Sequence, residues 1–164
     1  MISKNSTQKE IVEIGKKCNA CGHCCKYTTG FMTDKDITKI ADKLGMTETE
    51  LKEKYLEEMQ KFNTKMHRPK TIRKGKPYGP CTFLKENKCS IHDVKPLQCR
   101  TGNCSKDGDS LHQWFDLNFF VNPKDSLSIR EYACALKTRN PINGGTLQEL
   151  VPDKQKLKKI MEGE

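Results

Sequence analysis

Apolar residues recur at helical spacing in only part of this chain. Ile37, Ile40, Ala41 and Leu44 stand at i, i+3, i+4 and i+7, which places them on one helical face. Thr33 precedes them as an N-cap, Asp34 and Asp36 occupy the first turn, and Gly45 supplies a stop. Thr47 and Glu50 have capping-box spacing, and Leu51, Tyr55, Met59 and Phe62 continue the apolar stripe. The pattern predicts a helical pair over residues 33–62, acting as scaffold. Thr146 and Glu149 repeat the capping box. Pro152 then precedes a short basic helix carrying Leu157, Ile160 and Met161.

Elsewhere the periodicity fades. Residues 1–17 are polar, apart from the stretch Ile11 to Ile14. Residues 63–80 gain Lys, Arg, Gly and Pro, and KGKPYGP (74–80) is turn chemistry suited to a mobile loop or a hairpin. SKDGDS (105–110) predicts a turn, and LHQWFDLNFFV (111–121) a strand or short helix. Trp114, Phe115, Phe119 and Phe120 are expected to pack as core rather than to form a base-stacking platform.

Composition changes this picture. Of 164 residues 34% are hydrophobic, a count that includes nine Cys, while 31% are charged. The apolar core is thin for the length, and cross-links through bound metal would help to hold the fold. No signal-like start and no membrane-length apolar run is present, so a cytoplasmic protein with no membrane partner is expected. Disulfides are rare in that compartment, and an odd number of Cys fits full pairing poorly. A disulfide-stapled secreted protein is the weaker alternative. The formal charge of +9 points to an acidic partner such as nucleic acid. Two zinc ions with four thiolates each would lower it to about +5. The Lys and Arg residues are also spread along the chain, so a solvated basic face is favoured over a nucleic-acid groove.

Eight of the nine Cys fall in two clusters. The first is Cys18, Cys21, Cys24 and Cys25; the second is Cys81, Cys89, Cys99 and Cys104. Two residues between thiolates let a tight turn aim both sulfurs at one ion about 2.3 Å from each. Cys25 follows Cys24 at once and Lys26 comes next, so this is not a ferredoxin loop. Neighbouring side chains on an extended backbone point to opposite sides, which separates Cys24 from Cys25. The clusters are therefore expected to interleave, each site drawing Cys from both segments. Thiolate sets suit Zn2+ and iron–sulfur clusters alike. Cys134, within Tyr132 to Leu136, reads as a small buried hydrophobe. His23 and His92 read as neighbours of the site rather than ligands, and His67 and His112 carry no signal. No G-x-S-x-G, P-loop or H-E-x-x-H is present.

CNACGHCC at 18–25 and PCTFLKENKCSIHDVKPLQCR at 80–100 resemble the YkgJ-type CxxCxxCC cysteine-cluster family over roughly residues 15–105. The family pattern lands on Pro80 to Leu84, Cys89, Ile91-His92 and Lys95 to Arg100. Lys95 stands where the family usually has Arg, and Thr101-Gly-Asn-Cys104 departs from its usual ending, which makes Cys104 the least secure ligand. The resemblance implies chelation of zinc or iron, either Zn2+ or an iron–sulfur cluster of the 4Fe–4S type. Some members are described as Fe–S oxidoreductases, and flagellin lysine N-methylase carries a similar cysteine-rich domain.

Together these features predict a small single domain, mainly α with irregular metal-stapled loops, its Cys-cluster loops set around a helical pair. Residues 1–14 form a polar lead-in, 15–140 the cysteine-cluster metal-binding domain, and 141–164 a tail with a short helix. The expected function is metal chelation with a redox role. One alternative is a structural zinc module that binds a protein or RNA partner. Another is an enzyme like a protein lysine methylase, although the chain has no Gly-rich nucleotide loop.

Overall fold

Thr7 opens the first helix, within the polar lead-in. Its hydroxyl accepts from the Glu10 N–H at 3.3 Å, and the Glu10 carboxylate accepts from the Thr7 N–H at 2.7 Å. This capping box starts α1 (Gln8–Gly15), which buries Ile11 completely. A computed structural model describes residues 1–164. It contains eight α-helices and two two-stranded antiparallel sheets, so the small domain is mainly helical. No helix is long and apolar enough to cross a membrane.

α2 (Asp34–Leu44) has the predicted Thr33 cap and ends at Gly45, at φ 65°. α3 (Glu48–Tyr55) starts at Thr47, also as predicted. The helix then stops, and the stripe through Met59 and Phe62 is not helical. Leu56 is extended, and β1 (Leu56–Lys61) pairs antiparallel with β2 (Thr64–Pro69) in six-residue register. Phe62 and Asn63 form the turn at φ 49° and 56°, a conformation that suits a tight hairpin but not bulky residues. Tertiary contacts hold it. Phe62 packs edge-on against Tyr132, the Asn63 N–H donates to Glu131 at 2.9 Å, and the Thr64 hydroxyl donates to the Phe120 carbonyl at 2.7 Å. These interactions override the helical propensity of Glu57, Glu58, Met59 and Gln60.

The second Cys segment contains a short hairpin of β3 (Leu84–Lys85) and β4 (Lys88–Cys89), followed by α4 (Leu97–Thr101). α5 (Gly108–Phe115) runs into a π turn, Asp116–Phe120, so residues 111–120 are helical and the buried Val121 that follows is extended. α6 (Ser126–Ala135), α7 (Leu147–Leu150) and α8 (Lys154–Met161) complete the chain.

There are two apolar clusters. The larger joins Ile11 with Trp114, Phe115, Phe120, Ile129, Tyr132, Leu150 and Ile160, so both ends of the chain share one core. The smaller packs α2 and α3 against Phe83 and Ile91. The second Cys segment spans both, because Phe83, Cys81 and Ile91 belong to the small cluster and Leu97 to the large one.

Candidate metal centre

A backbone hydrogen bond joins the two Cys segments: the Cys81 N–H donates to the Cys25 carbonyl at 2.7 Å. From Cys81 the chain enters the β3–β4 hairpin, whose Glu86-Asn87 turn has φ 50° and 63°. The hairpin returns Cys89 toward Cys81. The backbone N–H groups of Phe83 and Leu84 pull the Cys81 thiol down, that of Ile91 does so for Cys89, and that of Gly30 for Cys99. Such donors favour the thiolate. Burial opposes them and prevails, pushing the Cys81 thiol up to about 11 and Cys99 up to about 12. Cys25 and Cys89 are also raised, again chiefly by burial. After burial, Cys99 responds to Cys81, Cys25 and Cys89, and Cys81 to Cys25 and Cys89. These four sulfurs form an inner group. Thiolates lining one partly buried region repel one another, and a cation would relieve that repulsion and release their protons.

Side chains outside the Cys pattern position this group. Asp36 is 2% exposed, and its carboxylate accepts from the Thr33 N–H at 2.8 Å, the Leu97 N–H at 2.9 Å and the Arg100 guanidinium at 2.9 Å. One acid thus caps α2 and fixes α4, which carries Cys99. Gln98 accepts from the Phe31 N–H at 2.9 Å. Gly30 admits no side chain, because a Cβ there would collide with the Cys99 sulfur. Gly15, at the end of α1, lies just as close to the Arg100 carbonyl. Asp36 reads in the sequence only as a first-turn acid; its capping-box spacing from Thr33 was the available signal. Gly30 and Gly15 carry none.

The other four clustered Cys, Cys18, Cys21, Cys24 and Cys104, are taken together as the outer group and are all exposed. The Cys24 and Cys104 sulfurs stand 3.8 Å apart. The Cys24 thiol is raised to about 11, by burial first and then by Cys104, Cys25 and Cys18. Asn103 ties the Cys104 loop to α1 by donating to the Ile14 carbonyl at 3.1 Å, and the Cys18 N–H donates to the Gly15 carbonyl at 3.1 Å. Cys24 and Cys25 lean toward different groups, but the backbone there is a 3₁₀ turn, Cys24–Lys26, rather than extended. The turn rotates consecutive side chains about 120° apart.

All eight clustered Cys line one cavity of about 520 Å³, with His23, His92, Thr29, Phe31 and Phe83 on its walls. The Thr29 hydroxyl is buried without a hydrogen-bond partner. All nine Cys are free thiols, and no three His, Cys, Asp or Glu side chains already stand in an arrangement that holds an ion. The donor set is soft and fits zinc or iron. Cys134 departs from expectation and is exposed. α6 buries Ser128, Ile129, Tyr132 and Ala133, which turns position 134 to solvent.

A family model described as "CxxCxxCC: Putative zinc- or iron-chelating domain" matches residues 17–135. No curated protein and no solved structure matches the chain.

Proposed function

The chain belongs to this CxxCxxCC family, and on that premise we propose that it chelates metal at two four-cysteine centres. Cys25, Cys81, Cys89 and Cys99 hold the inner one; Cys18, Cys21, Cys24 and Cys104 hold the outer one. The observation that carries this is the 3.8 Å separation of the Cys24 and Cys104 sulfurs. Two thiolates about 2.3 Å from one tetrahedral ion lie at about that spacing. The four thiolates of a cubane bind four different irons and stand further apart. The outer centre therefore suits a single Zn2+ or iron ion, and Zn2+ bound this way cross-links loops without redox chemistry.

A second reading keeps an iron–sulfur cluster at the inner centre, with a redox role. The shared cavity of about 520 Å³ gives it room, and the unpartnered Thr29 hydroxyl offers a hydrogen bond to sulfur. Anaerobic purification with metal analysis and a visible spectrum separates the two. Two equivalents of zinc in a colourless protein support the first reading. Iron with stoichiometric sulfide and a brown colour supports the second. A protein that takes up no metal overturns both.

A further inference from the structure

The structure leaves two aromatic side chains open, and it sets them together. Tyr27 and Tyr78 are 50% and 47% exposed, and their ring centroids are 5.9 Å apart. The His23 ring lies 5.2 Å from Tyr27 on one side, and the Lys76 ammonium 5.9 Å from Tyr78 on the other. This exposed row crosses from the first Cys segment to the loop at 70–82, residues distant in sequence.

The row is built by the fold. The loop at 70–82 is a pinned hairpin: the Ile72 N–H donates to the Pro80 carbonyl at 2.8 Å, the Thr82 N–H to Lys70 at 2.9 Å, and Thr71 bridges Cys81. Gly79 admits no Cβ against the Ile72 carbonyl, which lets the two arms approach. The Cys81 to Cys25 hydrogen bond then fixes Tyr78 beside Tyr27.

The two segments that carry the row hold only basic charge. No Asp or Glu occurs from residue 14 to 33 or from 59 to 85. Glu57, the acid against this loop, already binds Arg68 and Arg73. Lys26, Lys74 and Lys76 are exposed and take part in no ion pair.

We propose that this row is a binding surface for single-stranded nucleic acid. Bases stack on Tyr27 and Tyr78, while Lys26, Lys74 and Lys76 track the phosphates. Open aromatic faces beside unpaired cations match a single strand, whose bases are free to stack; a duplex keeps its bases paired and offers only its phosphates.

Fluorescence anisotropy of a labelled 12-nucleotide oligouridylate with the full-length, metal-replete protein tests this. Tyr78→Ala is expected to weaken binding about 10-fold, with Tyr78→Phe close to the parent. The double variant Lys74→Ala/Lys76→Ala should lower the slope of log affinity against log salt by about 1.4. Metal content and circular dichroism of each variant establish that the fold is retained. The proposal is overturned if the oligonucleotide does not bind. It is equally overturned if Tyr78→Ala binds as the parent does, if a duplex of the same length binds as tightly, or if polyglutamate competes equally, which would assign the surface to an acidic protein.

Discussion

The inner and outer Cys groups carry the same number of thiols, yet the fold holds them very differently. Around the inner group, Cys81 is buried, Cys89 and Cys99 are partly buried, and α4 is clamped to α2 by Asp36. Cys81 is itself part of an apolar cluster. Around the outer group all four residues are exposed, and their loops are tied down mainly through the end of α1. An enclosed thiol set makes metal binding part of folding, whereas an exposed one allows metal to exchange while the rest of the fold persists.

The sharpest test is to remove one sulfur from each group of the metal-replete protein. Cys99→Ser is expected to lose one metal equivalent and about 4 kcal/mol or more of stability, the range associated with loss of a structural metal. Cys104→Ser should lose a metal equivalent with about 1 kcal/mol or less. Equal losses by metal analysis and thermal melting would break the distinction.

Asp36→Ala keeps every thiol but removes the clamp and leaves Arg100 without its partner. It should cost about 3 kcal/mol in denaturant unfolding and deplete the inner metal before the outer. Gly30→Ala places a methyl against the Cys99 sulfur. A loss of about 2 kcal/mol is expected, with slower metal uptake at the inner centre alone. The same substitution at Gly45, whose Cβ would meet nothing, is the comparison for backbone strain.

The smallest effect concerns pH. Burial holds the His112 imidazole below its ordinary value of 6.5, Lys61 and Arg139 add to this, and Asp116 and Asp109 pull the other way. The unfolded chain therefore takes up this proton first as pH falls, and folded stability declines from about pH 6.5 downward. In His112→Gln the drop in Tm between pH 7 and pH 5.5 should be smaller than in the parent, and the outer metal should be unaffected.

Parts of the fold were legible in the sequence. The Thr33, Thr47 and Thr146 caps each start the helix they announced, because a cap is a local hydrogen-bond pattern. α1 was legible too, since Thr7 and Glu10 have the same spacing; the polar composition around them obscured it. β1 was not. Residues 56–61 favour helix locally and become a strand only through pairing with residues 64–69 and the hold of Phe120, Asp125 and Glu131 on the turn. Cys134 misled for a related reason, because its apolar neighbours hid which face of α6 meets the core.

The sequence by itself determined the chemistry. Clustered thiols, an unpaired total of nine and x2 spacing point to soft-metal chelation, since ligand type and local spacing are properties of short segments. The tertiary structure decided which sulfurs meet and which aromatics stay open. Cys24 and Cys104 lie 80 residues apart, and Tyr27 and Tyr78 come together only because the Cys81 backbone bonds to Cys25. Such meetings depend on loop closure and on buried contacts like Asp36 with Arg100, which no local pattern encodes.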